Sequence, residues 1–308
     1  MDPIVTTGGI SNRIPAEVLA QGAADLVACG SIEMSAHRVS DASEVAALLP
    51  VGTRVYINHL PRETLATSLS AVMAAREAGL EPVPHLSARR VATQEELKTF
   101  LERAVGEADV RKVLLIGGDP PRPLGPYPDS IALLREGLLA RYGIREVGIA
   151  GYPEGHPFLP RAALEAAMTE KLSLAVAQGL SVYILTQFSF APARVIEYCA
   201  ELSRLRHEVP IYVGMAGPTG AAALLRYAQR CGVSASLRAL GAEGMKIARL
   251  VTHTDPGEQL TALARYCAVH ADCNVVGVHL YSFGGVAKTA AWMSSKLAAP
   301  ISSGTASV

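Results

Sequence analysis

The sequence of 308 residues has no net charge, because its 28 lysine and arginine residues equal its 28 aspartate and glutamate residues. A chain so balanced lacks the basic surface with which proteins bind DNA, RNA or anionic membranes. Charged residues make up only 18% of the sequence, whereas hydrophobic residues make up 50%. We therefore expect a large apolar core and no nucleic-acid or membrane partner.

Long apolar runs and cysteine motifs are missing as well. No apolar run reaches the roughly 18 residues of a membrane-spanning helix, and the N-terminus lacks the basic and apolar regions of a signal peptide. The five cysteines form no CxxC pair. We therefore expect reduced thiols, a cytoplasmic location and no metal site.

Several common catalytic motifs do not occur either. The sequence has no GxSxG, no P-loop, no HExxH and no GxGxxG after an apolar run, so none of the corresponding enzyme classes is indicated. A nucleotide cofactor is still compatible with the sequence, because α/β barrels bind nucleotides through the loops that follow their strands.

What the sequence does contain is a regular alternation of short apolar runs and longer amphipathic segments. The predicted strands cover residues 29–35, 55–59, 81–86, 112–116, 146–150, 182–186, 211–213 and 275–281. The predicted helices cover residues 16–21, 62–78, 93–105, 129–142, 161–178, 192–206, 220–231 and 256–269.

Eight strand–helix alternations in a chain of 308 residues are typical of an α/β fold of the (β/α)8 TIM barrel type. A doubly wound open sheet is the alternative. No linker divides the chain, so we expect one catalytic barrel over residues 1–297 and a flexible C-terminal tail over residues 298–308.

The most informative strand end lies at residues 113–119. An apolar run is followed by Gly117, Gly118 and Asp119 and then by two prolines. The glycines let the backbone approach a flat or bulky ligand, and the prolines end the strand. Active-site groups of α/β barrels lie at the carboxyl ends of the strands, so Asp119 is a candidate active-site carboxylate.

Glu33 is a second candidate, because it alternates with the apolar Ile32 and Met34 in the first predicted strand. If Glu33 faces the inside of the barrel, burial raises the pKa of its carboxyl group and makes it a general acid near neutral pH. A glutamate at the rim, exposed to water, is the alternative.

Polar side chains also end or follow other strands. His85 fits a ligand site and a satisfied core histidine equally well. Gln187 can both donate and accept hydrogen bonds, which suits the recognition of a flat heterocycle. Loops on a rigid scaffold often carry function, and the remaining candidates at such positions are Asn58, Tyr152, His156 and Tyr281.

Six short motifs follow one another along the chain: Ser-Ile-Glu at 31–33, Pro-His-Leu at 84–86, Gly-Asp-Pro-Pro at 118–121, Tyr-Pro-Glu-Gly-His-Pro at 152–157, Thr-Gln-Phe at 186–188 and His-Leu-Tyr at 279–281. In this order and at this spacing they resemble the methylenetetrahydrofolate reductase family. Members of that family are (β/α)8 barrels that use FAD to pass a hydride from NADH or NADPH to 5,10-methylenetetrahydrofolate. The resemblance implies a short, divergent, single-domain flavoprotein that interconverts 5,10-methylenetetrahydrofolate and 5-methyltetrahydrofolate.

The resemblance also implies roles for individual residues. Glu33 matches the family's proton donor, which assists opening of the imidazolidine ring. Asp119 matches a carboxylate beside the flavin and the pterin, where a negative charge stabilises a cationic iminium. Gln187 matches a folate-contacting glutamine, and Tyr281 is assigned to the folate as well. The positions that match the FAD site are Asn58, His85, Gly117, Gly118, Asp119, Tyr152, His156 and Lys171.

The sequence departs from the family at several positions. Gly117 stands where the family has an arginine, which removes a cation from the cofactor wall. The last motif continues as Ser-Phe-Gly-Gly at 282–285 instead of leading to an arginine that grips folate. These departures leave two alternatives open beside the FAD enzyme: a flavin-independent reductase, and a non-redox folate-binding barrel or accessory subunit. The choice between NADH and NADPH, the direction of the reaction and the formation of a homo-oligomer are open at this point.

Overall fold

The computed structural model describes residues 14–61, 63–230 and 255–298. Within them eight parallel strands pair in chain order and the last pairs with the first, so the sheet closes into a barrel. Helices lie between the strands. The predicted (β/α)8 TIM barrel is confirmed, and the open, doubly wound sheet is wrong.

All eight strands lie where the apolar runs predicted them. The first begins two residues later than predicted, because Gly30 donates its N–H to the Val27 carbonyl at 2.9 Å and completes the turn after the preceding helix. The seventh runs three residues further than predicted, to Ala216. The bounds are β1 Ser31–Met34, β2 Arg54–Ile57, β3 Glu81–Ser87, β4 Lys112–Ile116, β5 Glu146–Gly151, β6 Ser181–Thr186, β7 Ile211–Ala216 and β8 Val275–Tyr281.

The helices surround the barrel, and the first of them precedes β1. No helix within the described ranges is long and apolar enough to cross a lipid bilayer. The α-helices of these ranges are α1 Ala16–Ala28, α2 Asp41–Ala46, α3 Leu65–Glu77, α4 Gln94–Ala108, α5 Ser130–Arg135, α6 Leu138–Arg141, α7 Arg161–Ala177, α8 Pro192–Leu205, α9 Ala221–Arg230, α10 Gly257–Val269 and α11 Val286–Leu297.

The helix prediction is wrong at three places. It missed α2, which has only six residues and is too short to show a helical period, and it missed α11, whose serine- and alanine-rich sequence resembles the tail. The helix predicted at 129–142 is two helices, α5 and α6, because Gly137 between them has a φ of +68°, a conformation that glycine favours. The end of the helix predicted at 220–231 and residues 299–308 of the predicted tail lie outside the described residues.

The inside of the barrel is filled by side chains from the strands. Tyr56 on β2 and Tyr183 on β6 meet there, and the Tyr56 hydroxyl donates to the Tyr183 oxygen at 2.8 Å. Burial raises the pKa of both phenols, so both are neutral. Val83, Leu114 and Leu185 belong to the same inner cluster. This layer closes the barrel beneath the carboxyl ends of the strands.

The main apolar core lies between the outer faces of the strands and the helices. Ile32 on β1 and Ile57 on β2 are fully buried there, in one cluster with Leu65 of α3 and Leu97 of α4. Since side chains alternate along a strand, an outward Ile32 leaves its neighbour Glu33 facing the inside.

The backbones of β6 and β7 approach each other so closely at Gly214 that no side chain fits. A Cβ atom there would lie 2.1 Å from the Thr186 carbonyl oxygen and 2.8 Å from the Tyr281 ring. The Gly214 N–H donates to the Thr186 hydroxyl oxygen at 2.9 Å, and the Tyr281 hydroxyl donates to the Thr186 carbonyl at 3.1 Å. Gly214 thereby lets Tyr281 lie against β6 at the mouth of the barrel.

We expect Gly214→Ala to lower the free energy of unfolding by about 1–3 kcal/mol, because the added Cβ atom displaces the β6 backbone or Tyr281. Gly106→Ala in α4 is the matched control. A Cβ atom at Gly106 meets nothing within 4 Å, and alanine in a helix is better than glycine by about 0.5–1 kcal/mol. Urea unfolding followed by circular dichroism measures both changes. An unchanged urea midpoint for Gly214→Ala would contradict the close approach.

Candidate functional site

A large cavity opens at the carboxyl ends of the strands, with a volume of about 2440 Å³. A pocket for one small ligand typically has about 300–1,000 Å³, so this cavity has room for a cofactor and a substrate together. Every residue that the sequence predicted for the site lines it: Glu33, Asn58, His85, Gly117, Gly118, Asp119, Tyr152, His156, Lys171, Gln187 and Tyr281. The structure brings these residues together, and the role of each stays a prediction.

Glu33 points into the barrel at the base of this cavity, with 15% of its side chain exposed. Asn58 Nδ2 donates to Glu33 Oε1 at 3.3 Å. The Nε2 atoms of His85 and His279 lie 3.8 and 3.9 Å from Glu33 Oε2. Glu33 is therefore an inward carboxylate with polar neighbours from three strands, and the alternative of a rim glutamate exposed to water is wrong.

The expected rise of the pKa of Glu33 is wrong as well. Burial alone raises this pKa, but the imidazoles of His279 and His85 and the Asn58 amide outweigh burial and lower the pKa below its ordinary value. Glu33 is therefore ionised at neutral pH in the ligand-free protein. It must gain a proton before it can act as an acid.

His279 is a site residue that sequence reasoning named only as part of a motif. It is fully buried, and its Nδ1 lies 2.9 Å from Ser31 Oγ. Burial lowers the pKa of His279, and it lowers the pKa of His85 to about 4, so both rings are neutral at neutral pH. Strand periodicity is the signal that could have found His279, because it shares one face of β8 with Tyr281.

Glu63, in the loop after β2, is a second residue that sequence reasoning missed. Its side chain is fully buried, one carboxylate oxygen accepts the Leu60 N–H, and the other lies 3.4 Å from His37 Nε2. His59 Nε2 lies 3.2 Å from the Glu63 carbonyl oxygen. Burial raises the pKa of Glu63, and the charge of Glu33 acts in the same direction. These contacts hold the loop that carries Asn58, and no motif in the sequence marks Glu63.

Asp119 stands at the rim of the cavity, with 82% of its side chain exposed. Gly118 before it has a φ of +90°, which turns the chain out of β4 in a conformation that other residues rarely adopt. The buried Arg90, which follows β3, places its Nη2 3.5 Å from Asp119 Oδ2. A guanidinium thus reaches Asp119 even though Gly117 supplies none. A Cβ atom at Gly117 would meet nothing within 4 Å, so the cavity wall is open there.

Two further walls of the cavity come from the ends of β5 and β6. Tyr152 and His156 meet edge to face with ring centroids 5.2 Å apart, and the Tyr152 N–H donates to the Tyr198 hydroxyl oxygen at 3.3 Å. Burial raises the pKa of Tyr152, and the charge of Asp119 adds to this rise. Directly after β6, the Gln187 side-chain oxygen accepts the N–H of Phe188 at 3.1 Å, so the hydrogens of the Gln187 amide take no part in this bond.

Lys171 on α7 is a buried cation. Burial lowers the pKa of its ammonium group to about 8, and the charge of Asp129 opposes this change. Among the described residues no carboxylate lies within 4 Å of its Nζ. Three arginines that line the cavity are paired with carboxylates: Arg161 with Glu165 and Glu201, Arg194 with Glu197, and Arg38 with Asp41. Arg89 and Arg206, which also line it, donate to carbonyl and hydroxyl oxygens instead. Lys171 is therefore suited to an anionic group of a ligand.

In the described part of the chain, no group of three or more histidine, cysteine, aspartate or glutamate side chains could hold a metal ion. The predicted site residues that line the cavity include a carboxylate at its base, a neutral imidazole, an exposed aspartate and a buried lysine. Such a set can exchange protons and bind a cofactor that carries phosphates.

Known proteins resemble this chain in sequence and in fold. Methylenetetrahydrofolate reductase 2 of Saccharomyces cerevisiae is 29% identical over 181 residues, which are 56% of this chain and 28% of the yeast protein. An uncharacterized protein from Clostridium thermocellum that binds two copies of 5-methyl-5,6,7,8-tetrahydrofolic acid is similar in structure. Its TM-score is 0.56 at 12% identity, over 87% of this chain and 94% of that one. At this identity the likeness shows the barrel fold alone.

A sequence model of the methylenetetrahydrofolate reductase family matches residues 36–282. This range includes every predicted site residue except Glu33, which precedes it by three positions. Because the match covers most of the chain, this protein belongs to the methylenetetrahydrofolate reductase family.

Proposed function

We propose that this chain interconverts 5,10-methylenetetrahydrofolate and 5-methyltetrahydrofolate with NADH or NADPH, as an FAD-dependent oxidoreductase of the cytoplasm. The observation that carries the proposal is Glu33, an inward carboxylate at the base of a cavity that holds all the other predicted site residues. Family membership supports the same reaction. The free thiols of Cys199, Cys267 and Cys273 are in keeping with a reducing compartment.

The proton chemistry of this reaction falls to Glu33. In the reductive direction the bond between the methylene carbon and N10 breaks, N10 takes a proton, and a 5-iminium cation remains. A hydride then converts the methylene carbon to a methyl group. Glu33 gives the proton to N10 in this direction and takes it back in the oxidative direction. Asp119 supplies a negative charge at the mouth of the cavity, where it stabilises the cation.

The residues present fit FAD. When bound, this cofactor supplies the hydride transfer, and the protein binds and orients it. The buried ammonium group of Lys171 would bind its phosphates. The open wall at Gly117 admits a flat ring close to the backbone, and Asn58, His85, Tyr152 and His156 line the space around it.

A second candidate is the same reaction without flavin, with hydride passed directly from the nicotinamide. Gly117 favours it, because the family's arginine is missing there and several cavity arginines are tied to carboxylates. A lysine without an arginine beside it binds a pyrophosphate more weakly than a lysine and an arginine together. A non-redox folate-binding barrel or accessory subunit is the third function that the sequence leaves open.

The visible spectrum of the purified chain separates these functions. We expect flavin bands, or their recovery when FAD is added, and turnover of 5,10-methylenetetrahydrofolate with NADH or NADPH that depends on FAD. Full turnover by a flavin-free preparation would establish the second candidate. Folate binding without turnover under any of these conditions would establish the third.

Glu33→Gln tests the proton donor. We expect folate reduction to fall by about 10²–10⁴-fold, because glutamine cannot give a proton to N10, while reduction of bound flavin by NADH stays within about twofold of wild type. Stopped-flow spectroscopy measures the two half-reactions separately. Glu107→Gln, an exposed change on α4, is the control for a lost carboxylate. Folate reduction at the wild-type rate in Glu33→Gln would remove Glu33 from the mechanism.

Lys171→Met tests the phosphate contact. A charge-assisted hydrogen bond contributes about 1.5–3 kcal/mol, so the dissociation constant of FAD should rise about 10–100-fold. Because the pKa of Lys171 is lowered to about 8, the cation is present below this pH, and FAD affinity should decline as the pH rises through it. Fluorescence titration with FAD from pH 6 to 9.5 measures both effects. Lys98→Met on α4 is the control, and equal affinity in Lys171→Met would contradict the contact.

A further inference from the structure

We propose that His279 stores the proton that Glu33 exchanges with N10 of the folate. This inference rests on the reaction proposed above and adds a residue that acts only through Glu33, so His279 is a positioning residue in this scheme. The pair takes up the proton through Glu33 as the folate binds and displaces water from the cavity. The proton stays on the pair when the pterin covers Glu33.

The packing around His279 fixes its ring with Nε2 towards Glu33. The ring meets Tyr56 and Tyr281 edge to face, with centroids 4.6 and 4.7 Å apart, and Ser31 Oγ holds Nδ1 at 2.9 Å. Within the described residues Nε2 is buried without a hydrogen-bond partner, 3.9 Å from Glu33 Oε2. Such a distance is too long for a hydrogen bond in the ligand-free protein, but catalytic hydrogen bonds often shorten when the ligand binds.

Ser31 is a partner that serves both protonation states of His279. A serine hydroxyl donates one hydrogen bond and also accepts. When the neutral ring carries its proton on Nε2, the Ser31 hydroxyl donates to Nδ1, and when the ring is an imidazolium, Nδ1–H donates to Ser31 Oγ. A carboxylate in this place would hold a proton on Nδ1 and stabilise the cation permanently. The neutral hydroxyl instead lets the proton come and go without leaving a buried polar atom unpaired.

His85 lies as near to Glu33 as His279 but is less suited to store the proton. Burial, with the charges of His279 and His59 in the same direction, lowers the pKa of His85 to about 4. His85 also lines the cavity itself, where the predicted cofactor wall lies. Of these two histidines, His279 does not line the cavity.

The charges around the pair favour the uptake of one proton on ligand binding. The titratable groups that face Glu33 and His279 are Arg54 and Tyr56 of β2, Glu63 of the loop after β2, His85 of β3 and Tyr281 of β8. Arg54 is the permanent cation among them, and it stacks on the Tyr212 ring at 4.6 Å. The pair itself carries one negative charge at neutral pH. A ligand that displaces water from the cavity raises the free energy of the ionised Glu33 carboxylate. One added proton removes the net charge of the Glu33–His279 pair.

The transfer is balanced in both directions. In the reductive direction the proton passes from Nε2 of His279 to Glu33 and from Glu33 to N10. The bond between N10 and the methylene carbon breaks, and its electron pair stays on N10. His279 and Glu33 then return to a neutral imidazole and a carboxylate. In the oxidative direction N10 attacks the iminium carbon, loses its proton to Glu33, and Glu33 passes it to His279.

Nitrogen NMR of the wild-type protein, labelled with ¹⁵N-histidine, tests the proposal with 5,10-methylenetetrahydrofolate as the probe, added without NADH or NADPH so that no reduction occurs. At pH 7 we expect the His279 ring to change from neutral to imidazolium on binding, and a pH indicator in weak buffer to record about one proton taken up per site. The signal that is missing in His279→Asn identifies the ring. A ring that stays neutral in the complex, or a proton that appears on His85 instead, would overturn the proposal.

Binding of 5,10-methylenetetrahydrofolate is measured separately by calorimetry, which distinguishes two failures. Binding without proton uptake overturns the role of His279 and leaves the proposed reaction intact. Absence of binding overturns both.

The pH profile of folate reduction is the second measurement. In His279→Asn the imidazole that lowers the pKa of Glu33 is gone while burial remains, so the pKa of Glu33 rises. We expect the midpoint of the profile to move up by about one pH unit and the maximum rate to fall about tenfold. Flavin reduction by NADH should be unchanged. His207→Asn, an exposed change, is the control, and an unmoved midpoint in His279→Asn counts against the proposal.

Discussion

The closure of the barrel between β1 and β8 is the constraint on which the site depends. Ser31 pairs with His279 and Ile32 with Leu280 across these strands, although Ser31 and His279 are 248 residues apart in the chain. Strand alternation then places Glu33 on the same inner face as Ser31, nearer to the mouth. An acid from the first strand and an imidazole from the last share one environment only because the sheet closes on itself.

This environment holds a buried negative charge without a formal cation in contact. Burial disfavours the Glu33 carboxylate, yet one amide and two imidazoles keep it ionised. Each pKa unit corresponds to about 1.4 kcal/mol between the protonated and ionised forms, so small changes at the cavity are enough to reverse the balance. Removal of water by a bound ligand acts in the direction of protonation. The ligand itself therefore helps to set the protonation state that the reaction needs.

The sequence was sufficient for the strands, because each is a short apolar run and their number and alternation with helices define a barrel. It was also sufficient to find the candidate residues that the cavity brings together, because each of them except Lys171 ends or follows a strand. It was not sufficient for the pKa of Glu33. The direction of that shift depends on Asn58, His85 and His279, whose approach to Glu33 follows from barrel closure and not from any local pattern. Glu63 is a similar case, since its contacts are those of an irregular loop.

The end of β4 shows how a motif can be broken while its chemistry is kept in part. The family has an arginine immediately before the glycine and aspartate, and here Gly117 replaces it, but Arg90 from the neighbouring strand end reaches Asp119 at 3.5 Å. The guanidinium is thus retained by a different route through the fold.

Solvent reduces the electrostatic effect of Asp119 on its neighbours, because 82% of its side chain is exposed. Two unit charges 4 Å apart interact by about 1 kcal/mol in bulk water and by about 4 kcal/mol near a protein surface with an effective dielectric constant of about 20. In the proposed reaction, the stabilisation of a cation by Asp119 therefore depends on bound ligands that exclude water from the mouth. Glu33 is already shielded at the base of the cavity, so in this reaction we expect opening of the imidazolidine ring to depend on Glu33 more than on Asp119.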